Sequence, residues 1–225
     1  MKENNSWDTI WENVFLENEW GKYPSENLIR FIARNFYKLD RPNVKILELG
    51  CGTGANIWYI TREGFDAYGI DGSKTAITQA KKRLSDEKLS ATLVVGDIIN
   101  LPFENNYFDA VIDVECIYAN NLANTKHILA EAKRVLKLNG KIYSRTFSDK
   151  MFIGTNYQTL AENEYTAIEK GPLAQKGFVR LSSKDSVKKL YQEFFTIISI
   201  DLLESTQYNE EELLSEYILI AQKKK

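Results

Sequence analysis

The stretch Ile46-Leu47-Glu48-Leu49-Gly50-Cys51-Gly52-Thr53-Gly54-Ala55-Asn56 constrains the fold more than any other part of the chain. An apolar run enters a turn holding Gly50, Gly52 and Gly54, and a helical pattern follows at once. Glycines serve two ends in such a turn. They permit backbone angles that a side chain forbids, and they let a ligand come close to the main chain. From Val44 onward, short apolar runs alternate with helical patterns, as strand–helix–strand units around a parallel sheet require. Strands are expected at Val44–Leu49, Ala67–Ile70, Thr92–Val95, Phe108–Val114 and Lys141–Thr146, several apolar enough to be buried on both faces. The fold class is therefore α/β.

The flanks are organised differently. Trp7, Ile10, Trp11, Val14 and Phe15 recur at helical spacing, which predicts an amphipathic helix that faces the core or covers a ligand. A second helix near Pro24 presents Leu28, Phe31, Ile32 and Phe36. Ala76, Ile77, Ala80 and Leu84 share one helical face, with Lys81, Lys82 and Arg83 in the last turn, where cations suit the helix dipole. Ser148 to Leu181 holds scattered aromatics and glycines without a sustained period and reads as an insertion. A helix capped by Ser182 with Asp185 carries Val187, Leu190, Tyr191 and Phe194. Thr196–Leu203 and Ser215–Ala221 then pair antiparallel, because no helix-length segment separates them. Lys223–Lys225 reads as a frayed tail.

Composition works here by exclusion. A chain of 225 residues with 44% hydrophobic and 27% charged residues is sized and balanced for one globular domain. Its 29 basic and 31 acidic residues give no global attraction toward nucleic acid or anionic membranes. The opening MKENNSWDTI lacks the charge and apolar pattern of a secretory leader, and no later run approaches the ~20 apolar residues of a membrane span, so a cytoplasmic location is expected. Cys51, Cys116 and the single histidine lack metal-site spacing, so no metal is expected. His127 lies off the apolar face of the helix expected at Thr125–Leu136 and reads as solvated.

Two acidic residues give the glycine turn its meaning. Asp71 stands where the second strand ends, and an acidic residue there can accept both hydroxyls of an adenosine ribose. Gly96-Asp97-Ile98 ends the third strand, where the Asp97 carboxylate can accept the adenine amino group and Ile98 can pack on the base. No Gly-Lys-Ser/Thr follows the glycines, which speaks against a phosphate-cradling loop and for a nucleoside without phosphates.

Taken in series, ILELGCGTGAN (Ile46–Asn56), YGID (Tyr68–Asp71), GDIINLPFENNYFDAVIDVECIYA (Gly96–Ala119) and RVLKLNGKIY (Arg134–Tyr143) resemble the class I S-adenosylmethionine-dependent methyltransferases. The resemblance covers most of Val44 to Phe147. It implies a Rossmann-like, seven-stranded, mostly parallel sheet with an antiparallel last strand and helices on both faces. S-adenosyl-L-methionine is the implied cofactor, and the implied organisation is a single domain: an N-terminal helical cap over 1–43, a cofactor-binding core over 44–147, an insertion serving as substrate lid over 148–181, and a C-terminal helix and strand pair over 182–225.

Residue by residue, the resemblance implies that Gly50, Cys51 through its backbone, Gly52 and Gly54 shape the methionine side, with Glu48 organising that loop. Asp71 with neighbouring Gly72 would hold the ribose and Asp97 with Ile98 the adenine, while Val114 and Glu115 mark the meeting point of cofactor and acceptor. Lys137-Leu138-Asn139-Gly140 departs from the proline and two glycines of many relatives, which affects only the turn into the fifth strand.

A sulfonium methyl is already electrophilic, so the expected reaction is in-line displacement with inversion, and the protein's task is positioning. Trp20 and Tyr23 are candidates for an aromatic wall of the cofactor site. Glu115, Tyr23 and Tyr118 are the catalytic candidates, and removal of Tyr23 is expected to lower turnover more than cofactor affinity. The Asn/Asp-Pro-Pro-Tyr/Phe segment of base-amine methyltransferases is replaced by Val114-Glu115-Cys116-Ile117-Tyr118. With no basic excess either, the acceptor is read as an oxygen or nitrogen atom of a small molecule, not a nucleic acid or a membrane component. A protein or ribosomal component is the alternative acceptor. Gly50, Gly52 and Ala55 also satisfy the dinucleotide pattern of NAD-dependent oxidoreductases, against which stand Gly54, Glu48 and Asp97. A catalytically silent cofactor-binding module is the third class considered.

Overall fold

The apolar runs that follow Val44 become the middle of a sheet covered on both faces. The computed structural model describes residues 5–224. Helices α1 (Ile10–Glu17) and α2 (Glu26–Phe36) precede strand β1 (Lys45–Leu49). Four units follow: α3 (Ala55–Arg62) with β2 (Asp66–Asp71), α4 (Lys74–Asp86) with β3 (Thr92–Val95), β4 (Phe108–Val114), and α5 (Leu122–Val135) with β5 (Leu136–Phe147). Three short strands, β6 (Gln158–Ala161), β7 (Glu164–Thr166) and β8 (Val179–Arg180), come next, and α6 (Lys184–Gln192), β9 (Phe195–Gln207) and β10 (Glu212–Lys223) close the chain.

The main sheet has seven strands in the order β3-β2-β1-β4-β5-β10-β9. β10 is antiparallel to both of its neighbours, whereas the β3-β2-β1-β4-β5 pairings are all parallel. The order reverses between β1 and β4, which opens a crevice beyond their C-terminal ends. Alternation along β1 divides the core. Leu47 and Leu49 join Phe108, Ile128, Leu129 and Leu190 on the α5 and α6 face, while Ile46 joins Leu28, Ile32, Ile57, Ile60 and Ile77 on the face of α2, α3 and α4. The four residues expected to form the buried stripe of α4 are all buried.

Several local expectations are corrected. Trp7 lies outside α1, which starts at Ile10, because Asp8 Oδ1 accepts from Ile10 N and turns the chain there. α6 is capped by Ser183, whose hydroxyl accepts from Ser186 N, and not by Ser182, which is buried in a bridge to Ser148. β5, β9 and β10 each exceed their expected span. Lys223 is no frayed end: its Nζ donates to Leu136 O at 2.7 Å and Asn106 Oδ1 at 2.8 Å, while Lys225 lies outside the described residues. Residues 1–4 of the opening segment do so as well.

The insertion is better built than its sequence suggests. β6, β7 and β8 form a separate three-stranded antiparallel sheet. Its strands are too short to show a period of two. The segment is anchored by a third apolar cluster in which Met151, Ile153, Ile168, Leu173, Val179 and Leu181 meet Tyr118 and Phe147. Among the described residues, no helix is long and apolar enough to cross a membrane.

Candidate functional site

A cavity of about 500 Å³ opens beyond the C-terminal ends of β1, β2 and β4, where the topology leaves the crevice. Its first end is made by the glycine turn. Gly50 and Gly54 both have positive φ, at 63° and 80°, so side chains are disfavoured in the turn by conformation alone. Asp71 at the tip of β2 accepts from Gly52 N and Ser73 N, both at 2.8 Å, and so fastens the turn to the neighbouring strand. Burial raises its carboxyl above the ordinary range, against the lowering effect of those two amides.

Glu48 is fully enclosed and its carboxyl is pushed up to about 8 by burial. Asn56 Nδ2 donates to Glu48 Oε1 at 2.5 Å, whereas Glu48 Oε2 and Thr53 Oγ1, both of residues in the cavity wall, are buried without partners among the described residues. Two unmatched polar atoms beside a glycine turn describe a place prepared for a ligand's polar groups. Cys51 belongs to the same wall, but burial pushes its thiol up, so it is no ready nucleophile.

At the end of β3, Asp97 and the buried Ile98 face the cavity with Gly72. The Asp97 carboxylate is engaged by the chain's own N-terminal segment. Ser6 N donates to Oδ2 at 2.7 Å, Ser6 Oγ donates to Oδ1, Trp7 N reaches Oδ2 at 3.3 Å, and Ile99 N donates to Oδ1 at 3.0 Å.

The second end of the cavity begins where β4 stops. Asp113 is fully buried and accepts from Ser144 Oγ at 2.5 Å, Cys116 N at 3.1 Å and Ile117 N at 3.0 Å. Tyr191 from α6 donates to Ser144 Oγ at 2.7 Å and completes the network. These bonds fix a turn in which Glu115 adopts φ +55°, an uncommon conformation for a residue with a side chain. The turn brings Glu115 Oε1 to 3.3 Å from Arg145 Nε, while Arg145 also donates to Glu216 Oε1 at 2.8 Å and pairs with Glu216 Oε2. Burial is the main reason the Glu115 carboxyl is pushed up to about 7, and the Glu216 charge adds to it against the lowering effect of Arg145.

Trp11, Trp20, Phe147, Met151, Leu173 and Leu214 supply the apolar surface of this end. Lys176 lies over the Trp20 ring, 4.6 Å from its centroid. Val114 lines the junction of the two ends, and Tyr118 is buried edge-on against Phe147. Tyr23 reaches the wall too, but it is 75% exposed and stands edge-on to Trp58 at the rim. His127 is exposed, away from the cavity lining.

Sequence reasoning missed Arg145, Glu216 and Lys176 as wall residues. A signal existed for the first two: Arg145 in Lys141–Phe147 and Glu216 in Leu214–Ala221 are charges placed among apolar residues of strands in the sheet. A charge on a buried strand is retained where a partner and a use await it. Nothing in the sequence pattern of the insertion marks Lys176.

Residues 46–140 match the family model described as a methyltransferase domain. Residues 46–140 thus carry a methyltransferase domain. Demethylmenaquinone methyltransferase of Tropheryma whipplei (strain Twist) is 33% identical over 116 residues, which cover 51% of this chain and 46% of that protein. The chain thus spans about half the length of that relative. A S-adenosylmethionine-dependent methyltransferase from Methanosarcina mazei superposes with TM-score 0.71 at 19% identity, covering 89% of this chain and 98% of that one. The 1,6-didemethyltoxoflavin-N1-methyltransferase of Burkholderia thailandensis, solved with 1,6-didemethyltoxoflavin and S-adenosylhomocysteine, gives TM-score 0.65 at 14% identity over 96% of this chain and 88% of that one.

The cofactor of the methyltransferase domain is S-adenosylmethionine, and the residues present fit it. The unmatched Glu48 and Thr53 oxygens lie beside the glycine turn, Asp71 caps β2, and the carboxylates around the cavity suit a cationic sulfonium.

Proposed function

We propose that the protein methylates an oxygen or nitrogen atom of a small-molecule acceptor. The observation that carries this reading is the acceptor end of the cavity. Aromatic and aliphatic side chains from four separate parts of the chain roof it, and an ion cluster forms one wall. Such a concave, mostly apolar site with a few polar groups is suited to a compact ligand. The two methyltransferases named for demethylmenaquinone and didemethyltoxoflavin support the same class of acceptor.

S-adenosylmethionine, when bound, supplies an electrophilic methyl group. The glycine turn would receive the amino-acid part, with the free Thr53 hydroxyl and Glu48 carboxyl as its polar partners. Asp71 would hold the ribose hydroxyls with Gly72 alongside, and Asp97 with Ile98 the base. Val114 and Glu115 stand between this end and the acceptor. Glu115 is the residue placed to take an acceptor proton, because its carboxyl titrates near neutrality while Arg145 and Glu216 hold it in position. Trp11 and Trp20 exclude water from the site, and the insertion with α1 acts as its cover.

The test has two arms. Calorimetry should show binding of S-adenosylmethionine and none of NAD. Methyl-labelled cofactor incubated with cell extract should then deliver label to the low-molecular-mass fraction. Label in protein or ribosomes would replace the acceptor class, and binding without any labelled product would leave a cofactor-binding module.

A further inference from the structure

The N-terminal segment is held to the cavity at three separate places, and they differ in kind. Glu12 in α1 accepts from Thr75 N at 3.1 Å and Thr75 Oγ1 at 2.5 Å at the start of α4. Phe15 O accepts from Gln79 Nε2 at 3.0 Å, and Trp11 and Trp20 flank Lys176 of the insertion. These contacts anchor α1 beside the glycine turn and the start of α4, and none of them involves Asp97. The third place is Ser6–Trp7, which precedes α1 and reaches into the nucleoside end itself.

There the Asp97 carboxylate is filled. Two carboxylate oxygens offer about four acceptor positions, and four N–H and O–H donors approach them. Only the Ile99 N–H belongs to the turn of Asp97 itself; the other three come from Ser6 and Trp7. The Trp7 N–H is shared, since it also donates to Asn5 Oδ1 at 2.9 Å, and so it holds Asp97 less firmly than Ser6 does. The Trp7 indole meanwhile occupies the volume that a side chain at position 72 would take, next to Asp71. A purine amino group brought to Asp97 finds no free acceptor until Ser6 withdraws.

We infer that Ser6–Trp7 is an internal competitor of the nucleoside: a latch that holds Asp97 until the cofactor enters and then gives it up to the base. The inference rests on the assignment of Asp97 to the base in the proposed function. The hinge is the turn at Asp8–Thr9, so the latch opens while α1 stays fastened through Glu12 and Phe15. Cofactor entry is then limited by latch release, and the price of release appears in both the association rate and the affinity.

The experiment uses the full chain and S-adenosylhomocysteine as probe, with binding followed by stopped-flow fluorescence and calorimetry. Ser6→Pro removes both the N–H and the hydroxyl that hold Asp97. Two charge-assisted bonds are lost from the closed state, so the association rate should rise by about tenfold and the dissociation constant should fall, with Ser6→Ala between the two. An unchanged association rate in Ser6→Pro overturns the latch, and weaker binding does so too, since it would make Ser6 part of the binding site instead of its competitor. Hydrogen exchange on the unaltered protein gives a second reading that needs no variant. The Ser6 amide should lose protection when S-adenosylhomocysteine binds, and retained protection overturns the proposal. Failure of every form to bind the probe would remove the cofactor assignments of the site together with the latch, whereas normal binding with an unaltered rate removes the latch alone.

Discussion

The two ends of the cavity are built on different principles. The end proposed for the cofactor comes from three short stretches, Glu48–Gly54, Asp71–Gly72 and Asp97–Ile98, each at the C-terminal tip of a parallel strand. Main-chain amides do much of the work there, as when Gly52 N and Ser73 N hold Asp71. The end proposed for the acceptor is made of side chains gathered from α1, the turn after β4, β5, the insertion and β10. Backbone conformation at a strand tip is written locally in glycines and acids, whereas a gathered wall depends on where distant segments meet. Methyl transfer can thus keep one constant end while the other is remodelled by small changes in several places.

Substitutions can test whether the ends are separable. The largest effect is expected from Arg145→Leu, which leaves the buried Glu216 and the half-buried Glu115 without their cation. It should cost about 3 kcal/mol of stability, read as a loss of roughly 10 °C in thermal unfolding, while affinity for S-adenosylmethionine in the folded protein changes less than about threefold. Collapse of cofactor affinity as well would join the two ends. Asp71→Asn addresses the other end: it should weaken S-adenosylhomocysteine binding about thirtyfold by calorimetry, and thermal unfolding should fall by a few degrees because one of the amides of Gly52 and Ser73 loses its acceptor. Glu115→Gln should lower turnover roughly tenfold and remove a pH dependence centred near 7, with cofactor affinity retained. A pH-independent loss would show that Glu115 only shapes the site.

Glu48 distinguishes the ends by pH. Its carboxyl lies at about 8 in the folded chain, above the 4.5 of a free glutamate, so folding favours the protonated form. The stability it contributes is full below about pH 4.5 and is lost as pH rises through 8. Glu48→Gln, a permanent mimic of the protonated form, should therefore melt several degrees above the unaltered protein at pH 9 and close to it at pH 5. Equal melting at both values would mean that the Glu48 carboxylate is solvated. The smallest effect belongs to Tyr23→Ala. With 75% of its surface exposed at the rim, its removal should lower turnover by about twofold and leave cofactor affinity unchanged.

What was legible in the sequence follows the same division. The glycine turn, the strand-tip acids, the parallel core and the antiparallel terminal pair were readable because each is a local pattern or a direct consequence of connection length. The small sheet β6-β7-β8 was not, since strands of two to four residues carry no detectable period. Trp7 fitted a helical face by spacing, but a turn at Asp8 and the bonds from Ser6 and Trp7 to Asp97 draw that stretch out of the helix. Arg145 and Glu216 came from strands read as apolar runs, and their pairing depends on the register of β5 against β10, which no local pattern states.

The placement of β10 between β5 and β9 has a consequence for the order in which the protein is made. The strands and turns that form the cofactor end are all present once synthesis has passed β4, whereas Glu216 arrives on the last strand and must slide between two others already made. A nascent chain can therefore shape its cofactor end before the acceptor end has a floor. Until β10 is seated, the guanidinium of Arg145 lacks one of its two carboxylates, and the wall proposed to receive the acceptor is incomplete.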